Sequence, residues 1–305
     1  MKIVCVIQVR NEKRFLPGFL HHLAPHVDGI VALDGGSTDT TLAILAAEPK
    51  VLSVLHERAP GAPHAHEIEN RHRLIVEAAR LGADWVICLD ADERLEERFL
   101  RRLRADLLRR ERHGKHVLFV RIVNLWDSAD HYRVDGICQP RWTARLFRMP
   151  RTLTRRGPLL HQPWFPPELD AAPRGYAPAN LYHLKMIDRR DREARFDKFT
   201  AIDPDRRHQP IGYDHLIDER GLTLRPVLPF ADYVDLPASE WSPPPARPAT
   251  SDCRSDAAFA ARFHLDIPHP PLAAPTVPEA PAPEWPRLRG FDFEALFARA
   301  GRRAT

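Results

Sequence analysis

Over its first 125 residues the chain alternates short β-branched apolar runs with stretches of helical periodicity, and few architectures accommodate that rhythm. Runs at 3–9, 29–33, 51–55, 85–89 and 117–123 are short and rich in Val and Ile, which predicts buried strands. Helical spacing occupies 15–23, 40–47, 67–81 and 96–113 between them. Strands alternating with helices predict an α/β fold with a mostly parallel sheet, right-handed crossovers placing helices on both faces. At 44% hydrophobic content, 305 residues are enough to bury a sizeable core.

Beyond Trp126 the alternation stops. Strand-like pieces such as 143–148 mix with proline-rich turns and one helical stretch from Arg189 to about Thr200. This predicts a smaller irregular region over 126–225, completing a domain of 1–225 whose first half is 1–125. About half of the chain's 30 prolines fall within 226–286, so that stretch reads as a linker or surface-wrapping tail. Phe291, Phe293, Leu296 and Phe297 give the end of the chain, 287–305, a short amphipathic helical pattern.

The formal charge of +4 is a mild excess and calls for no nucleic-acid partner. The opening MKIVCVIQVRNE reads as a strand and a polar turn, not a cleaved leader, and no apolar run approaches 18 residues. The expectation is a cytoplasmic protein, with peripheral contact at the inner face of a membrane as the most it would make of a bilayer. Cys5, Cys88, Cys138 and Cys253 show no paired spacing and read as reduced packing residues.

Polar residues gather where predicted strands end. Asp90, Ala91 and Asp92 follow the run Trp85 to Leu89, and their carboxylates would reach the crevice where open α/β sheets bind ligands. Acids there also suit a helix N-terminus. Asp34, Gly35, Gly36, Ser37, Thr38 and Asp39 follow the second strand, where glycine admits positive φ and Ser, Thr or Asp caps a helix. Arg10, Asn11 and Glu12 follow the first. Each segment alone is an ordinary βα turn; together they load one sheet edge with acids.

In order and spacing, VRNEKRFLPGFLHHL, VDGIVALDGGSTDTTLAIL and RLGADWVICLDADERL resemble the family 2 glycosyltransferases, whose GT-A fold is a Rossmann-like, mostly parallel sheet. The likeness is densest over residues 1–100 and continues faintly to about Leu216. It implies a nucleotide-diphosphate-sugar donor, a divalent cation (Mn²⁺ or Mg²⁺), and a glycan, lipid-linked or protein acceptor. By that resemblance Arg10, Asn11, Glu12, Asp34, Asp39 and Arg71 would lie about the nucleotide. Asp90 would reach the ribose or the metal, Asp92 would be the direct metal ligand, and His183 would complete the metal shell.

Elementary chemistry agrees, because cleaving a sugar–diphosphate bond builds negative charge that a hard cation offsets as a Lewis acid. An inverting transfer also wants a base for the acceptor hydroxyl. His161 stands where several relatives read His-Glu, but Gln162 replaces the acid. Asp135 and Glu168 are the other base candidates. The missing acid leaves a second reading open, a non-catalytic nucleotide-sugar-binding partner with the same fold. His64, His66 and His72 carry metal-ligand types without the spacing of a zinc site. The basic run 98–115 places Phe99, Leu103 and Leu107 on one stripe, as in a helix packed on the sheet; contact with anionic lipid is its alternative use.

Overall fold

In β1 (Ile3–Val9), Ile3, Cys5 and Ile7 enter one apolar cluster while Val4 and Val6 enter another, so both faces of the strand are covered. A computed structural model describes residues 1–57, 67–156, 162–207, 209–229 and 231–235 of the chain. The expected Pro-rich tail beyond Asp235, the terminal helix over 287–305, His64, His66 and His161 lie outside the described residues.

The expected strands form: β2 (Gly29–Asp34), β3 (Val51–His56), β4 (Trp85–Cys88) and, later, β6 (Val117–Asn124). Helices α1 (Leu16–Leu23) and α2 (Thr41–Ala47) cover one face with Leu16, Phe19, Leu20, Leu23, Ile44 and Leu45. Helix α3 (Glu67–Arg80) covers the other with Leu74, Ile75 and Ala78. Strands β3, β2, β1 and β4 lie side by side in that order, all parallel. The chain builds outward from β1 to β3 and then returns through α3 to the far side of β1. The order therefore reverses between β1 and β4, and that is where a crevice opens beyond the strands' carboxyl ends.

The predicted helix over 96–113 is two helices, α4 (Glu97–Leu100) and α5 (Leu103–Arg112). A tightened turn divides them, with the Arg102 amide donating to the Phe99 carbonyl 3.0 Å away. Phe99, Leu103 and Leu107 are all buried against the sheet. Between Asp92 and α4 the chain forms a three-residue strand, β5 (Glu93–Leu95), which the local sequence does not announce because two of its residues are charged.

The remainder of the sheet is mixed. After β7 (His131–Arg133) come β8 (Arg141–Arg148), antiparallel to both β4 and β6, and β9 (Arg174–His183), parallel to β6 and antiparallel to β5. The full order of the eight-stranded sheet is β3-β2-β1-β4-β8-β6-β9-β5. A separate ribbon pairs β7 with β10 (Leu224–Pro226). Helix α6 (Arg189–Ile202) forms where helical spacing predicts it, its first turn capped by Asp188, whose side chain accepts from the Arg190 amide.

Beneath α6, Trp126, Cys138, Met186, Tyr213 and Leu216 form a third apolar cluster. Cys5, Cys88 and Cys138 are free and buried, as packing residues should be. Among the described residues no helix is long and apolar enough to cross a membrane.

Candidate functional site

Backbone bonds and short polar side chains stitch the first two βα loops together before they offer anything to a ligand. Asn11 has a φ of 55°, left-handed geometry that asparagine tolerates better than most residues. Its Oδ1 accepts from the Thr38 amide at 2.8 Å, and its own amide donates to Ser37 Oγ at 2.9 Å. Asp34, buried, accepts from the amides of Gly36 and Ser37, each at 3.0 Å. Asp39 accepts from the Thr41 amide at 2.9 Å and from the Lys13 amide at 3.3 Å. These three residues brace the loops beside the crevice, while Arg10 is exposed. Asn11→Ala is expected to lower stability by about 1–2 kcal/mol, from the strained φ and the lost bonds. Asn11→Gly should lose less, which denaturant unfolding of the two variants measures.

The crevice is a cleft of about 400 Å³. Gln8 and Glu12 enter it from the end of β1, Asp90, Ala91 and Asp92 from the end of β4, and Arg71 from α3. Across from them stand Arg141 of β8, Lys185, and Arg195 and Lys198 of α6, with Gln209, Tyr213 and His215 beyond.

Asp92 meets His183 because β5 and β9 pair with Glu93 opposite His183, and the Leu184 amide donates to the Asp92 carbonyl at 2.8 Å. His183 Nε2 lies 3.0 Å from Asp92 Oδ2, and its Nδ1 lies 3.1 Å from Asn124 Oδ1. Asn124 is delivered by β6, in register with His183. Burial works to raise the Asp92 pKa, yet its contact with His183, and then Arg195 and Lys185, hold it well below the usual carboxylate range. Burial lowers that of His183 against the pull of Asp92. Asn124 Oδ1 can accept a proton from Nδ1, and in that tautomer Nε2 and the carboxylate are placed to share a cation.

Among the described residues no group of three or more His, Cys, Asp and Glu is gathered as a metal cage. Asp92 and His183 thus fit a cation whose remaining ligands come from a bound substrate, with Asp90 close by on the same turn. The Asp90 side chain is 47% exposed and 4.0 Å from the guanidinium of Arg145. Its amide donates to Glu93 Oε2 at 3.0 Å, and Glu93 also pairs with Arg145. Burial pushes Glu93 up to about 8 against the attraction of Arg145. Arg94, fully buried, ties the same turn down through the carbonyls of Ala91 and Phe15, each at 2.8 Å.

Glu12 and Lys185 form an ion pair at 2.9 Å; burial raises the Glu12 pKa despite Lys185. Arg71 pairs with Glu67, donates to the Gln162 carbonyl at 3.0 Å, and stacks 4.3 Å over the Trp164 ring.

Of the base candidates selected from sequence, His161 lies outside the described residues and the other two stand away from the cleft lining. Asp135 does not line the cleft: its Oδ1 is 2.7 Å from the Arg133 guanidinium and its Oδ2 accepts from the Thr223 amide at 2.8 Å. Glu168 sits on the turn Pro167–Leu169, also off the lining. The lining residues that sequence reasoning missed include Lys185, Arg141, Arg195, Lys198 and His215. The i,i+3 spacing of Arg195 and Lys198 on a helix was a signal for one basic face. Burial, followed by Arg141, lowers the His215 pKa against a hydrogen bond to the Gly212 carbonyl.

No family model matches the chain. It is 29% identical over 225 residues to two uncharacterised proteins, one from Mycobacterium tuberculosis and one from Mycobacterium bovis. The match takes in 70% of this chain and 54% of each relative, so the chain spans about half the length of the relatives it matches. Among solved structures, residues 1–349 of Staphylococcus aureus TarS overlap 72% of this chain and 70% of their own, at 15% identity and a TM-score of 0.39. Glucosyl-3-phosphoglycerate synthase of M. tuberculosis, solved with Mn²⁺, uridine diphosphate and glucosyl-3-phosphoglycerate, overlaps 40% of this chain and 44% of its own. That match is 24% identical, with a TM-score of 0.31. Both structural overlaps are partial.

Proposed function

We propose that the chain is an inverting, metal-dependent glycosyltransferase of the family 2 type, moving a sugar from a nucleotide-diphosphate donor to an acceptor hydroxyl. The observation that carries this reading is Asp92 paired with His183 beside Asp90, in a cleft at the strand-order reversal between β1 and β4. The motifs at residues 10–12, 34–39 and 90–92 support it through their resemblance to that family.

Asp92 and His183 would hold a divalent cation, Mn²⁺ or Mg²⁺, which when bound supplies Lewis acidity to the donor's diphosphate. Arg195, 4.0 Å from Asp92, adds positive charge beside the same phosphates. In the transfer the acceptor oxygen bonds to the anomeric carbon as the bond from that carbon to the phosphate oxygen breaks, its electron pair leaving with the nucleoside diphosphate. The acceptor's hydroxyl proton passes to the free ring nitrogen of His215. Among the described residues His215 lines the cleft outside any ion pair, whereas Glu12 and Glu67 are paired with Lys185 and Arg71.

A thermal-shift screen of nucleoside diphosphates, each with and without Mn²⁺, tests the reading. One nucleotide at about 100 times its Kd should stabilise the protein by about 2.7 kcal/mol, and only with metal present. No metal-dependent stabilisation by any nucleotide would overturn it. The base assignment has its own pH signature. A base works unprotonated, so activity should hold as pH falls past 6.5 and decline only through the lowered value of His215. Burial holds that value down, with Arg141, Arg133 and Arg195, against the Gly212 carbonyl. His215→Gln should cut kcat by about 10²-fold and abolish that acid limb; an unchanged profile would remove His215 from the mechanism.

A further inference from the structure

Two cations in the cleft form no ion pair among the described residues. Arg141, at the start of β8, and Lys198, on α6, both line it, and among the described residues neither is ion-paired to a carboxylate. The other cleft cations are engaged: Lys185 with Glu12, Arg71 with Glu67, and Arg195 toward Asp92. Like charges crowd the two that remain. Burial, and then Arg145, acts against the charge of Arg141; burial, and then Arg195 and Lys185, acts against that of Lys198, with Glu12 and Glu67 offsetting it in part. Gathering cations in a concave, partly desolvated site is unfavourable until a ligand brings negative charge.

In the reading above the donor's diphosphate takes up only part of this charge. Its diphosphate would be met at the Asp92–His183 end by the cation and Arg195. Arg141 and Lys198 come from β8 and α6, in the part of the chain beyond the parallel half of the sheet. Both line the cleft with His215, on which Arg141 acts second only to burial, so an anion held by Arg141 would sit near the proton-accepting imidazole.

We propose that the acceptor is itself an anion, a hydroxyl compound whose phosphate or carboxylate group is held by Arg141 and Lys198. This rests on the glycosyltransferase reading and narrows its acceptor. Arg141 offers a planar fork of donors suited to either oxyanion, and Lys198 a second charge that favours a doubly charged phosphate.

The test uses the full chain with Mn²⁺ and whichever nucleotide sugar the thermal screen selects. Matched acceptors are glucose, glucuronate and glucose 6-phosphate in solution, and phosphatidylglycerol vesicles for a lipid-borne phosphate beside free hydroxyls. The readout is released nucleoside diphosphate together with glycosylated acceptor. At least one anionic acceptor should exceed glucose by about 30-fold in kcat/KM, and which one it is distinguishes a soluble from a lipid-borne anion. Arg141→Gln and Lys198→Gln should each reduce that preference about 10-fold through KM, leaving metal-dependent nucleotide binding unchanged. Transfer to glucose as efficient as to every anion would overturn the proposal while leaving the glycosyltransferase reading intact, as would variants that weaken nucleotide binding instead of acceptor KM. Absence of any metal-dependent nucleotide binding would overturn both.

Discussion

Asp92→Asn is expected to lower metal-dependent donor turnover by about 10³-fold or more while leaving the fold in place. The amide has the size of the carboxylate and can still hydrogen-bond His183 Nε2, 3.0 Å away in the wild type. It lacks the negative charge that a hard cation requires. The remaining donor, the His183 imidazole, is a poor sole ligand for Mn²⁺ or Mg²⁺. The variant should also lose the nucleotide stabilisation that depends on metal. Circular dichroism and steady-state release of nucleoside diphosphate separate the two effects, and full turnover in a folded variant would remove Asp92 from the metal site.

Arg192→Met is expected to destabilise the protein by about 2–4 kcal/mol. This guanidinium is fully buried. It donates to the carbonyls of Met186 and Ile187 at 2.7 and 2.9 Å and to the carboxylates of Asp127 and Glu219 at 2.9 and 3.0 Å. It also lies 4.0 Å from the Trp126 ring, which Arg133 approaches at 4.5 Å. A methionine fills the space yet leaves buried carbonyls without donors, which costs more than the lost attraction alone. Arg192→Lys should rescue little, because one ammonium cannot serve acceptors arranged around a planar fork. Since Arg192 anchors the helix carrying Arg195 and Lys198, acceptor KM should rise even below the unfolding temperature. A change in melting temperature under 2 °C would contradict this account.

The two variants mark different depths of legibility. Asp92 was visible in the sequence, because a short apolar run ending in two acids predicts a strand that delivers carboxylates to a sheet edge. Arg192 read as one of many arginines on a polar helix. Its burial depends on Trp126, 66 positions earlier, and on Glu219, 27 positions later. Likewise Asn11, Asp34 and Asp39 were recognisable as belonging together at one edge, but residue types alone did not distinguish binding a ligand from holding two loops to one another. The short polar side chains that favour one also favour the other.

Local sequence determined the periodic part of this protein: five strands, the helices between them, the strand-end acids and the α6 helix. Those features arise from side-chain patterns repeating over a few residues, so a window of that length suffices to see them. Only the tertiary structure decided that His183 meets Asp92, that Asn124 holds its other nitrogen, and that Arg141, Lys198 and His215 converge on the same cleft. These contacts depend on β9 choosing β5 and β6 as neighbours in one register, 91 positions separating His183 from Asp92. Such a register is fixed by which faces the whole sheet can bury, a property of the assembled core and not of any segment within it.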